Sequence, residues 1–533
     1  MTPIPTRLFT AGIQEFADIR ERKLIYVDKT DIIHRLAHES KFVFLSRPRR
    51  FGKTLLCTTL KCYFEGRKEL FEGLAMEKLE TEWTKYPVLH FDLSQCKNKE
   101  DIQGIMRELD WQLKQYEKKY GRDESCVSPG ERFKSLIVSA CEQTGQKSVV
   151  ILDEYDAPLL DAIDQPEKLT EIRRVMQEFY QPLKSCEAYE HFVFITGITK
   201  FSQLSIFSTL NNITNITMLP QYSAICGITV DEALDVFKPD IQELAKRYKC
   251  TYDEMVDNLK AKYDGYNFSM ESPDVFNPFS LTMALKNKMV DSYWFGSGTP
   301  TYLFEQMKRF GTNILSLEKK MASASDFDAP TENMTTALPL LYQSGYLTIK
   351  DYDFDTNQYL LDFPNAEVRV GFMRNLLPAI VEDANVMLAN NTVANIYTSL
   401  KKNDINSMMQ FLKSYIASIP YLEHGRHELG NLTTFEAFYE TIMYVIFSMM
   451  SNYVYTQVKS ANGRSDIVMF VGDTAYVFEL KINGTAREAL DQINSNGYMV
   501  PYEAGNRTIV KVGVAFSKDE KNITDWIVES AEL

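Results

Sequence analysis

The sequence of 533 residues predicts an α/β protein, in which a parallel sheet with helices on both faces precedes a helical region and a second, smaller α/β domain. Apolar runs alternate with helical stretches in the first half of the chain, which is typical of parallel strands joined by crossover helices. Runs such as SVVILD are apolar almost throughout, as a sheet covered on both faces requires. Roughly the last hundred residues show the order helix, strand, strand, helix and strand, which predicts a separate αββαβ domain.

Five strands are predicted for the first sheet, and each gap between them is long enough for a crossover helix. They are Phe42–Ser46, Val88–Ser94, Val149–Asp153, Phe192–Gly197 and Ile225–Thr229. Beyond residue 230 the pattern becomes helical, with helices predicted at Asp231–Tyr248 and Tyr252–Lys262. The elements predicted for the last domain are helix Thr434–Met450, strands Asp466–Val471 and Ala475–Lys481, helix Thr485–Asn496 and strand Thr508–Phe516.

These patterns predict four regions: a sheet core at residues 1–230, a helical lid at 231–300, a mostly helical connector at 301–420 and the small α/β domain at 421–533. Within the connector, Gly345–Asp351 and Gln358–Phe363 flank a turn-like segment and predict a hairpin. A helix followed by such a hairpin is compatible with a winged-helix-like connector, although an ordinary packing subdomain is favoured.

The charge of the chain argues against a general polyanion binder. With 58 Lys+Arg against 72 Asp+Glu the net charge is −14, whereas sequence-independent binding to nucleic acid depends on neutralising phosphates. Residues 1–100 carry 18 basic and 14 acidic side chains, a net +4, and residues 401–533 carry 12 and 16, a net −4. Any contact with nucleic acid is therefore expected to use a local patch.

The cysteines and apolar segments predict a cytoplasmic location. Eight cysteines occur without any Cys-x-x-Cys pair, which indicates neither a zinc ribbon nor a disulfide framework. The segment Met1–Arg20 lacks the apolar stretch of a signal peptide. The most apolar segment, Ile442–Tyr455, is too short to span a bilayer, so we expect no membrane partner.

The segment FVFLS-RPRRFGKT ends the first strand and opens a helix at Lys53, an arrangement that presents backbone N–H groups to an anion. Gly52 allows the backbone to approach a phosphate, Lys53 can reach the β- and γ-phosphates, and the Thr54 hydroxyl can ligate Mg²⁺. Arg47 occupies the place of the first glycine of the usual pattern and would have to avoid a positive φ. The arginines of this loop, including Arg50, either bind phosphate or form a solvated patch or an interface.

Two further strands end in polar side chains that suit a nucleotide site. Asp153 can hold the Mg²⁺ shell, and Glu154 can take a proton from an attacking water. Thr196, at the end of another strand, either senses the γ-phosphate or caps the following turn. The predicted nucleotide-binding residues are Arg50, Phe51, Gly52, Lys53, Thr54, Asp153 and Thr196, with Thr54 and Asp153 as metal ligands and Glu154 as the catalytic residue.

A second site is predicted where GRSD and FELK lie on two strands of a hairpin. Side chains alternate between the two faces of a strand, so Glu479 and Lys481 lie on the same face, beside Asp466 on the partner strand. Asp466 and Glu479 are ligands of the kind Mg²⁺ prefers, and Lys481 can orient a water and offset charge on a phosphodiester. The alternative is a surface hairpin with a cross-strand ion pair. Glu436 and Gln492 either face this site or serve only their own helices.

His34 and His38 are spaced i, i+4, so on a helix they would share one face and could hold a metal. Arg35 follows His34 where the H-E-x-x-H pattern has Glu. A partly exposed helix face without a metal is therefore favoured.

Several motifs follow one another along almost the whole chain: GIQEF and YVDKT, FLSRPRRFGKT, VVILDEYD, FITGITKFS, KYDGYNFS, LLYQSGYLTI, and finally GRSDIV, FELK and ALDQI. With them the chain resembles the bacterial AAA-ATPase-like proteins that carry a C-terminal PD-(D/E)xK nuclease-type domain. An arginine at the first glycine position of the loop is also typical of that family. The resemblance implies an ASCE-type P-loop core, a helical lid and a restriction-endonuclease-like C-terminal domain.

The resemblance also implies chemistry: nucleotide binding at Gly52, Lys53 and Thr54, with Asp153 and Glu154 on Mg²⁺ and water. The nuclease triad would be Asp466, Glu479 and Lys481. We therefore expect an ATP-driven or ATP-gated, Mg²⁺-dependent nuclease acting on nucleic acid, foremost DNA, and able to form homo-oligomers. The alternatives are an ATP-dependent switch whose nuclease-like domain binds nucleic acid or a partner without cutting, and a nucleotide-binding scaffold that oligomerises without turnover.

Overall fold

A computed structural model describes residues 7–10, 12–96, 101–160, 162, 165–200, 213–297, 301–329, 334–380, 386–419, 435–450, 454–460, 463–499, 502 and 507–531. The chain divides into two compact units. One comprises Met1–Trp294 and Met321–Asn365, and the other comprises Phe295–Lys320 and Ala366–Leu533.

The helices of the first half are α1 (Phe16–Glu21), α2 (Thr30–Glu39), α3 (Lys53–Phe64), α4 (Ala75–Leu79), α5 (Ile102–Tyr120), α6 (Pro129–Thr144), α7 (Ala157–Leu160), α8 (Pro166–Tyr180), α9 (Pro182–Ser185), α10 (Val230–Val236), α11 (Lys238–Tyr248) and α12 (Tyr252–Tyr263). Those that follow are α13 (Pro278–Asn287), α14 (Thr301–Arg309), α15 (Ala324–Phe327), α16 (Leu338–Gln343), α17 (Ala366–Ile380), α18 (Val386–Lys401), α19 (Ile405–Ala417), α20 (Phe435–Ser448) and α21 (Ala486–Ser495).

The first unit is built on a five-stranded parallel sheet, which contains four of the five strands that the sequence predicts. Its strands are β1 (Phe42–Ser46), β2 (Val88–Asp92), β3 (Ser148–Asp153), β4 (Glu190–Gly197) and β5 (Thr214–Asn215). They lie in the order β2-β3-β4-β1-β5. Strand β4 therefore separates β1, which leads into the loop at residues 47–52 (here called the phosphate loop), from β3, which ends at Asp153. The carboxyl ends of all these strands meet at one edge, where ligands of open α/β sheets bind.

Helices cover both faces of this sheet. On one face, Phe44 of β1 and Leu152 of β3 belong to a core that includes Leu109 of α5, Phe133 of α6 and Phe179 of α8. On the other face, α3 packs along β2, β3 and β4. Every residue of β1 and β3 is buried, which explains why the sequence of both strands is apolar rather than alternating.

The prediction that Ile225–Thr229 joins the parallel sheet is wrong. Only Ile228–Thr229 forms a strand, β6, and it pairs antiparallel with β7 (Val275–Phe276). The chain turns at Gly227, whose φ is 107°, and a Cβ there would lie 2.7 Å from the Val275 side chain. The edge of the parallel sheet is instead β5, a two-residue strand that no sequence pattern predicts.

The helical region packs around β6 and β7, with Phe237, Leu244, Met255 and Leu259 in its core. The single helix predicted over Asp231–Tyr248 is in fact two, α10 and α11. The second begins at Lys238 with Pro239 in its first turn, where the missing N–H of proline costs no intrahelical hydrogen bond.

The predicted hairpin is present as β9 (Thr348–Asp353) and β10 (Gln358–Asp362). A third strand, β8 (Lys320–Ala322), extends it into a sheet of order β8-β10-β9. The short α16 precedes β9 directly, and its Tyr342 belongs to the same small core as Ile349 and Leu361.

The C-terminal domain contains the predicted helices and strands in order, with one further strand between the first helix and the first predicted strand and another at the end. Its strands are β11 (Val454–Ser460), β12 (Gly463–Val471), β13 (Thr474–Ile482), β14 (Thr508–Ser517) and β15 (Asn522–Ala531). They lie side by side in chain order, and only β13 and β14 are parallel. Helix α21 makes the crossover between these two strands. It can lie close to the sheet because Gly513 has no side chain. A Cβ at this position would lie 2.3 Å from the carbonyl oxygen of Ala486.

Candidate nucleotide and metal sites

The phosphate loop runs between the end of β1 and the start of α3. Gly52 is the residue before the helix and has a φ of 83°, and Arg50 also lies in the left-handed region with a φ of 68°. The Lys53 ammonium is buried and donates to the carbonyls of Arg47, at 3.0 Å, and Pro48, at 3.2 Å. The lysine thus holds the loop in a tight curve in front of the positive end of the α3 dipole, where anions bind.

Arg47, in the place of the first glycine, is an internal anchor of this loop. It is 1% exposed, and its guanidinium donates to the carbonyls of Thr217, at 2.8 Å, and Tyr222, at 3.2 Å. The guanidinium also lies 4.0 Å from the ring centre of Phe268. Burial lowers the pKa of Arg47 to about 10, so it remains charged at neutral pH. Its own φ is not positive, which explains how a residue with a side chain replaces glycine here.

The next loop residues pack on aromatic side chains of the helical region. The Arg50 guanidinium lies 3.9 Å from the ring centre of Phe279. Phe51 is 1% exposed, and its ring makes edge contacts with those of Tyr266 and Phe268. The ring centres are 4.7 Å and 5.3 Å apart, respectively. Segments far along the sequence therefore shape the phosphate loop.

Gly345, in the segment LLYQSGYLTI, also touches the loop. Its φ is 86°, and a Cβ there would lie 2.6 Å from the Pro48 side chain. Only glycine therefore fits this close approach without a shift of the loop.

Asp153 lies at the end of β3 and faces the first turn of α3. It is fully buried, and neither carboxylate oxygen has a hydrogen-bond partner of acceptable geometry among the described residues, although the Thr54 hydroxyl is close. Burial raises the pKa of Asp153 to about 6, while Thr54 and Lys53 act in the opposite direction. A buried carboxylate without a hydrogen-bond partner, next to a hydroxyl, fits the ligand set of a divalent cation.

Glu154, the next residue, has a φ of 48°. A left-handed backbone at a residue other than glycine costs about 1–3 kcal/mol and is characteristic of functional sites.

At the end of β4, Thr196 is fully buried and donates its hydroxyl hydrogen to the Leu45 carbonyl at 2.7 Å. Donation from Thr196 to a γ-phosphate would require this bond to be exchanged. The sequence analysis missed Asp156, whose carboxylate accepts the backbone N–H and the hydroxyl of Thr199, both at 2.7 Å. Asp156 thereby fixes the loop after β4, and its place in VVILDEYD was the available signal.

In the C-terminal domain, the strand register brings the predicted triad together. Ile467 of β12 pairs with Phe478 of β13, so the next step places Asp466 opposite Glu479. The Asp466 carboxylate accepts the backbone N–H of Leu480 at 2.8 Å. The Lys481 ammonium lies 3.7 Å from the carboxylate of Glu479. The three side chains therefore converge at one end of the hairpin.

Gln492 of α21 completes this group. Its amide nitrogen donates to Glu479 and to the Tyr498 hydroxyl, and its amide oxygen accepts from Lys481. The helix begins with the capping box of Thr485 and Glu488 that the sequence predicts. The sequence left the direction of Gln492 open, and the structure turns it toward the triad. The side chain of Glu436 lies outside the described residues.

Glu479 is buried, which does not fit a solvated surface hairpin. Its side chain is 3% exposed, and its Oε2 atom has no hydrogen-bond partner in the part of the chain that the structure describes. Burial, followed by the charge of Asp466, raises the pKa of Glu479 to about 8, while Lys481 acts in the opposite direction. A cation between Asp466 and Glu479 would satisfy the orphaned oxygen, so these residues fit a divalent metal.

Comparison with known proteins supports the assignment of both regions. The family described as "Predicted AAA-ATPase" matches residues 10–207, and the "PD-(D/E)XK nuclease superfamily" matches residues 434–526. The "Uncharacterized protein in vnfD 5'region" of Azotobacter chroococcum mcd 1 is 33% identical over 528 residues, which is 97% of this chain and 98% of that protein. The chain belongs to the AAA-ATPase-like family with a C-terminal PD-(D/E)xK domain.

In this AAA-ATPase-like protein, the two matched regions contain the two candidate sites and imply the use of a nucleotide and a divalent metal. The resemblance and the fold class predicted from the sequence are confirmed. Phe268, Phe279 and Gly345 lie outside both matched regions, although they pack on the phosphate loop. None of the described helices combines the length and apolarity needed to cross a bilayer.

Proposed function

We propose that the protein hydrolyses ATP in its N-terminal domain and that this turnover drives or gates Mg²⁺-dependent hydrolysis of phosphodiester bonds in DNA by its C-terminal domain. One shared feature supports the proposal most. Each site combines a lysine with a buried carboxylate, Asp153 in one and Glu479 in the other, that has an oxygen without a partner within the described residues. Buried carboxylates of this kind are stable only when protonated or when bound to a cation.

In the N-terminal site, Lys53 and the N–H groups at the start of α3 would bind the β- and γ-phosphates. Thr54 and Asp153 would hold the Mg²⁺, which when bound offsets the negative charge that develops on the phosphate oxygens. Glu154 would accept a proton from the attacking water. Binding of the phosphates would replace the contacts of Lys53 with the loop carbonyls.

In the C-terminal site, Asp466 and Glu479 would hold a Mg²⁺, which when bound polarises a phosphodiester oxygen and acidifies water. Lys481 would orient the attacking water and stabilise the charge of the transition state. Gln492 would keep Lys481 next to Glu479. Since the C-terminal residues 401–533 carry a net charge of −4, contact with the DNA backbone would depend on this metal and on local basic side chains.

A cleavage assay tests the proposal. Plasmid DNA, single-stranded DNA and RNA would be incubated with Mg²⁺ or Mn²⁺, with and without ATP. The variants are Lys53→Ala and Lys481→Ala, with Lys61→Ala on the same helix as Lys53 and the exposed Lys518→Ala in the C-terminal domain as matched controls. We expect Lys481→Ala to reduce cleavage of DNA by about 10²–10³-fold, as loss of one transition-state contact does. Lys53→Ala should change the cleavage rate in the presence of ATP and leave the rate without ATP unaltered.

The other outcomes decide between the alternatives. ATP turnover without cleavage of any substrate would contradict the nuclease proposal and favour an ATP-dependent switch. Binding of ATP without turnover, accompanied by a change in oligomeric size, would favour a scaffold. Cleavage of RNA alone would support nuclease activity but show that the substrate is RNA and not DNA.

A further inference from the structure

A second group of side chains suited to a metal lies on α2, away from both candidate sites. His34 and His38 lie one turn apart, with ring centres separated by 4.1 Å. Glu80 follows α4, and its Oε2 atom lies 3.9 Å from the Nε2 atom of each histidine. One ligand atom from each of the three side chains lies within 4.8 Å of the others.

The hydrogen bonding of His38 defines the state of its ring. Its Nδ1 lies 2.7 Å from the backbone carbonyl of His34. A carbonyl oxygen only accepts hydrogen bonds, so Nδ1 carries the hydrogen, and the Nε2 of the neutral ring has a lone pair. This lone pair lies beside a carboxylate oxygen, and both atoms could bind a cation placed between them. A backbone carbonyl on the second ring nitrogen is also the usual way in which proteins orient a metal-binding histidine.

Glu80 is held as a carboxylate by its own partners. The Tyr63 hydroxyl donates to Oε2 at 2.5 Å, and the backbone N–H of Glu82 donates to Oε1 at 2.8 Å. Hydrogen bonds donated to a carboxylate favour its ionised form. The carboxylate keeps further lone pairs for a cation because each oxygen can accept more than one bond.

A plain ion pair explains this geometry less well. A charged hydrogen bond between imidazolium and carboxylate is about 2.7–2.9 Å long, whereas both histidines lie 3.9 Å from the shared oxygen. Two protonated rings at 4.1 Å would also repel each other.

We propose that His34, His38 and Glu80 form a binding site for a Zn²⁺ ion, with water as the fourth ligand. Two imidazole nitrogens and one carboxylate oxygen are a common protein ligand set for zinc, with bond lengths of about 2.0–2.2 Å. Each histidine nitrogen needs to approach the carboxylate oxygen by about half an ångström to reach the corresponding tetrahedral spacing. Through Glu80 and Tyr63 the ion connects α2 to the last turn of α3, the helix that begins at the phosphate loop.

Metal binding to the full-length protein tests this proposal. Metal-free protein would be titrated with Co²⁺, whose visible absorption identifies four-coordinate sites, and Zn²⁺ would then be added in competition. The double variant His34→Gln/His38→Gln should lose one bound ion and its four-coordinate spectrum. His191→Gln is the matched control, since this histidine stacks on Tyr86 in the same domain. Asp466→Asn and Asp153→Asn identify ions held by the other two sites.

Tyr63→Phe is a second variant that keeps the packing of the ring. It removes only the hydroxyl that orients Glu80, so Zn²⁺ affinity should fall by about 10–100-fold with the histidines intact. Circular dichroism would establish that each variant is folded. The proposal fails if the His34/His38 variant binds as much Co²⁺ in the same spectrum as the parent protein. It also fails if no Zn²⁺ binds at micromolar concentrations, or if all bound metal is lost in Asp153→Asn or Asp466→Asn.

Discussion

The two candidate sites hold their lysines in different ways. Lys53 donates to two backbone carbonyls of the loop that it serves, so main-chain atoms occupy its ammonium. Lys481 instead donates to a side-chain amide, that of Gln492, which also binds Glu479. The first site is built from the loop, from aromatic residues between positions 266 and 279 and from the ends of strands that are distant in sequence. The second site is built from one sheet and the helix packed on it.

This difference suggests how each site depends on its ligand. In the phosphate loop, a nucleotide bound as we propose would compete with the carbonyls for Lys53, which would link its binding to rearrangement of the loop. In the C-terminal site, Lys481 and Glu479 already face each other, and only the orphaned oxygen of Glu479 still lacks a partner within the described residues. We therefore expect the nucleotide site to be assembled by its ligand and the metal site to exist before the metal binds.

The largest expected effect concerns the nucleotide site. Glu154→Gln removes the predicted proton acceptor and keeps the size of the side chain, so ATP turnover should fall by about 10²–10⁴-fold. Affinity for ATP should change little, because the phosphate contacts proposed for Lys53 and α3 remain. A coupled-enzyme assay measures the turnover, and equilibrium titration with a fluorescent ATP analogue measures binding.

The exposed Glu142→Gln, on α6, is the matched control and should leave turnover unchanged. If Glu154→Gln hydrolyses ATP at the parental rate, Glu154 is not the catalytic residue. Cleavage of DNA by this variant separates the two sites further. If cleavage persists without turnover and without stimulation by ATP, the C-terminal site works independently.

A smaller effect is expected at the C-terminal site. Gln492→Leu removes the amide between Lys481 and Glu479, and loss of such a supporting contact costs about 10–100-fold in metal affinity or activity. ATP turnover should be unaffected. The exposed neighbour Asp491→Leu tests for general damage to α21. Full cleavage by Gln492→Leu would show that Lys481 and Glu479 keep their positions without the amide.

The two buried carboxylates should also respond to pH in different ranges. A protonated carboxyl competes with a metal, so metal affinity rises with pH until the pKa is passed. With a pKa of about 8 for Glu479, affinity of the C-terminal site should rise about tenfold per unit from pH 6.5 to 8. With a pKa of about 6 for Asp153, metal-dependent ATP binding should be almost constant over that range. Mn²⁺ titrations of Lys53→Ala report on the C-terminal site, and those of Asp466→Asn report on the nucleotide site. An equal dependence of Mn²⁺ affinity on pH in the two variants would contradict this prediction.

Much of this arrangement could be predicted from the sequence because strands and their ends are local features. The apolar runs of β1, β3 and β4 are long enough to identify, and parallel strands place their carboxyl ends at one edge. The period of two along β13 likewise placed Glu479 and Lys481 on one face. Local patterns thus located the residues of both candidate sites, although their roles stay predictions.

Other features depend on contacts between distant segments, which no local pattern contains. Strand β5 has two residues, too few to show a periodicity. The anchoring of Arg47 depends on carbonyls 170 and 175 residues further along the chain. The direction of Gln492 depends on how closely α21 approaches β14, which Gly513 permits. His34 and His38 show a metal-binding spacing, but Glu80 comes from another element.

The smallest expected effect is on stability, and it distinguishes the same two carboxylates. Because the folded protein raises the pKa of Glu479 from 4.5 to about 8, the folded form binds the proton more tightly than the unfolded form. Stability without metal therefore falls as pH rises from about 4.5 to 8, and this loss is absent below that range and complete above it. Glu479→Gln removes the loss. After allowance for solvent screening, it should stabilise the domain by about 1–3 kcal/mol at pH 9.

For Asp153 the pKa rises from the ordinary value of 3.8 to about 6, so its carboxylate destabilises the fold over this pH range. The gain in stability from Asp153→Asn should therefore be complete by pH 7 and the same at pH 9. Thermal unfolding in EDTA at pH 5, 7 and 9 measures both variants. The gain of Glu479→Gln should increase between pH 7 and 9, while that of Asp153→Asn should not. If Glu479→Gln is destabilising at pH 9, its carboxylate is paired within the fold, and the argument for a cation at Asp466 and Glu479 loses its main support.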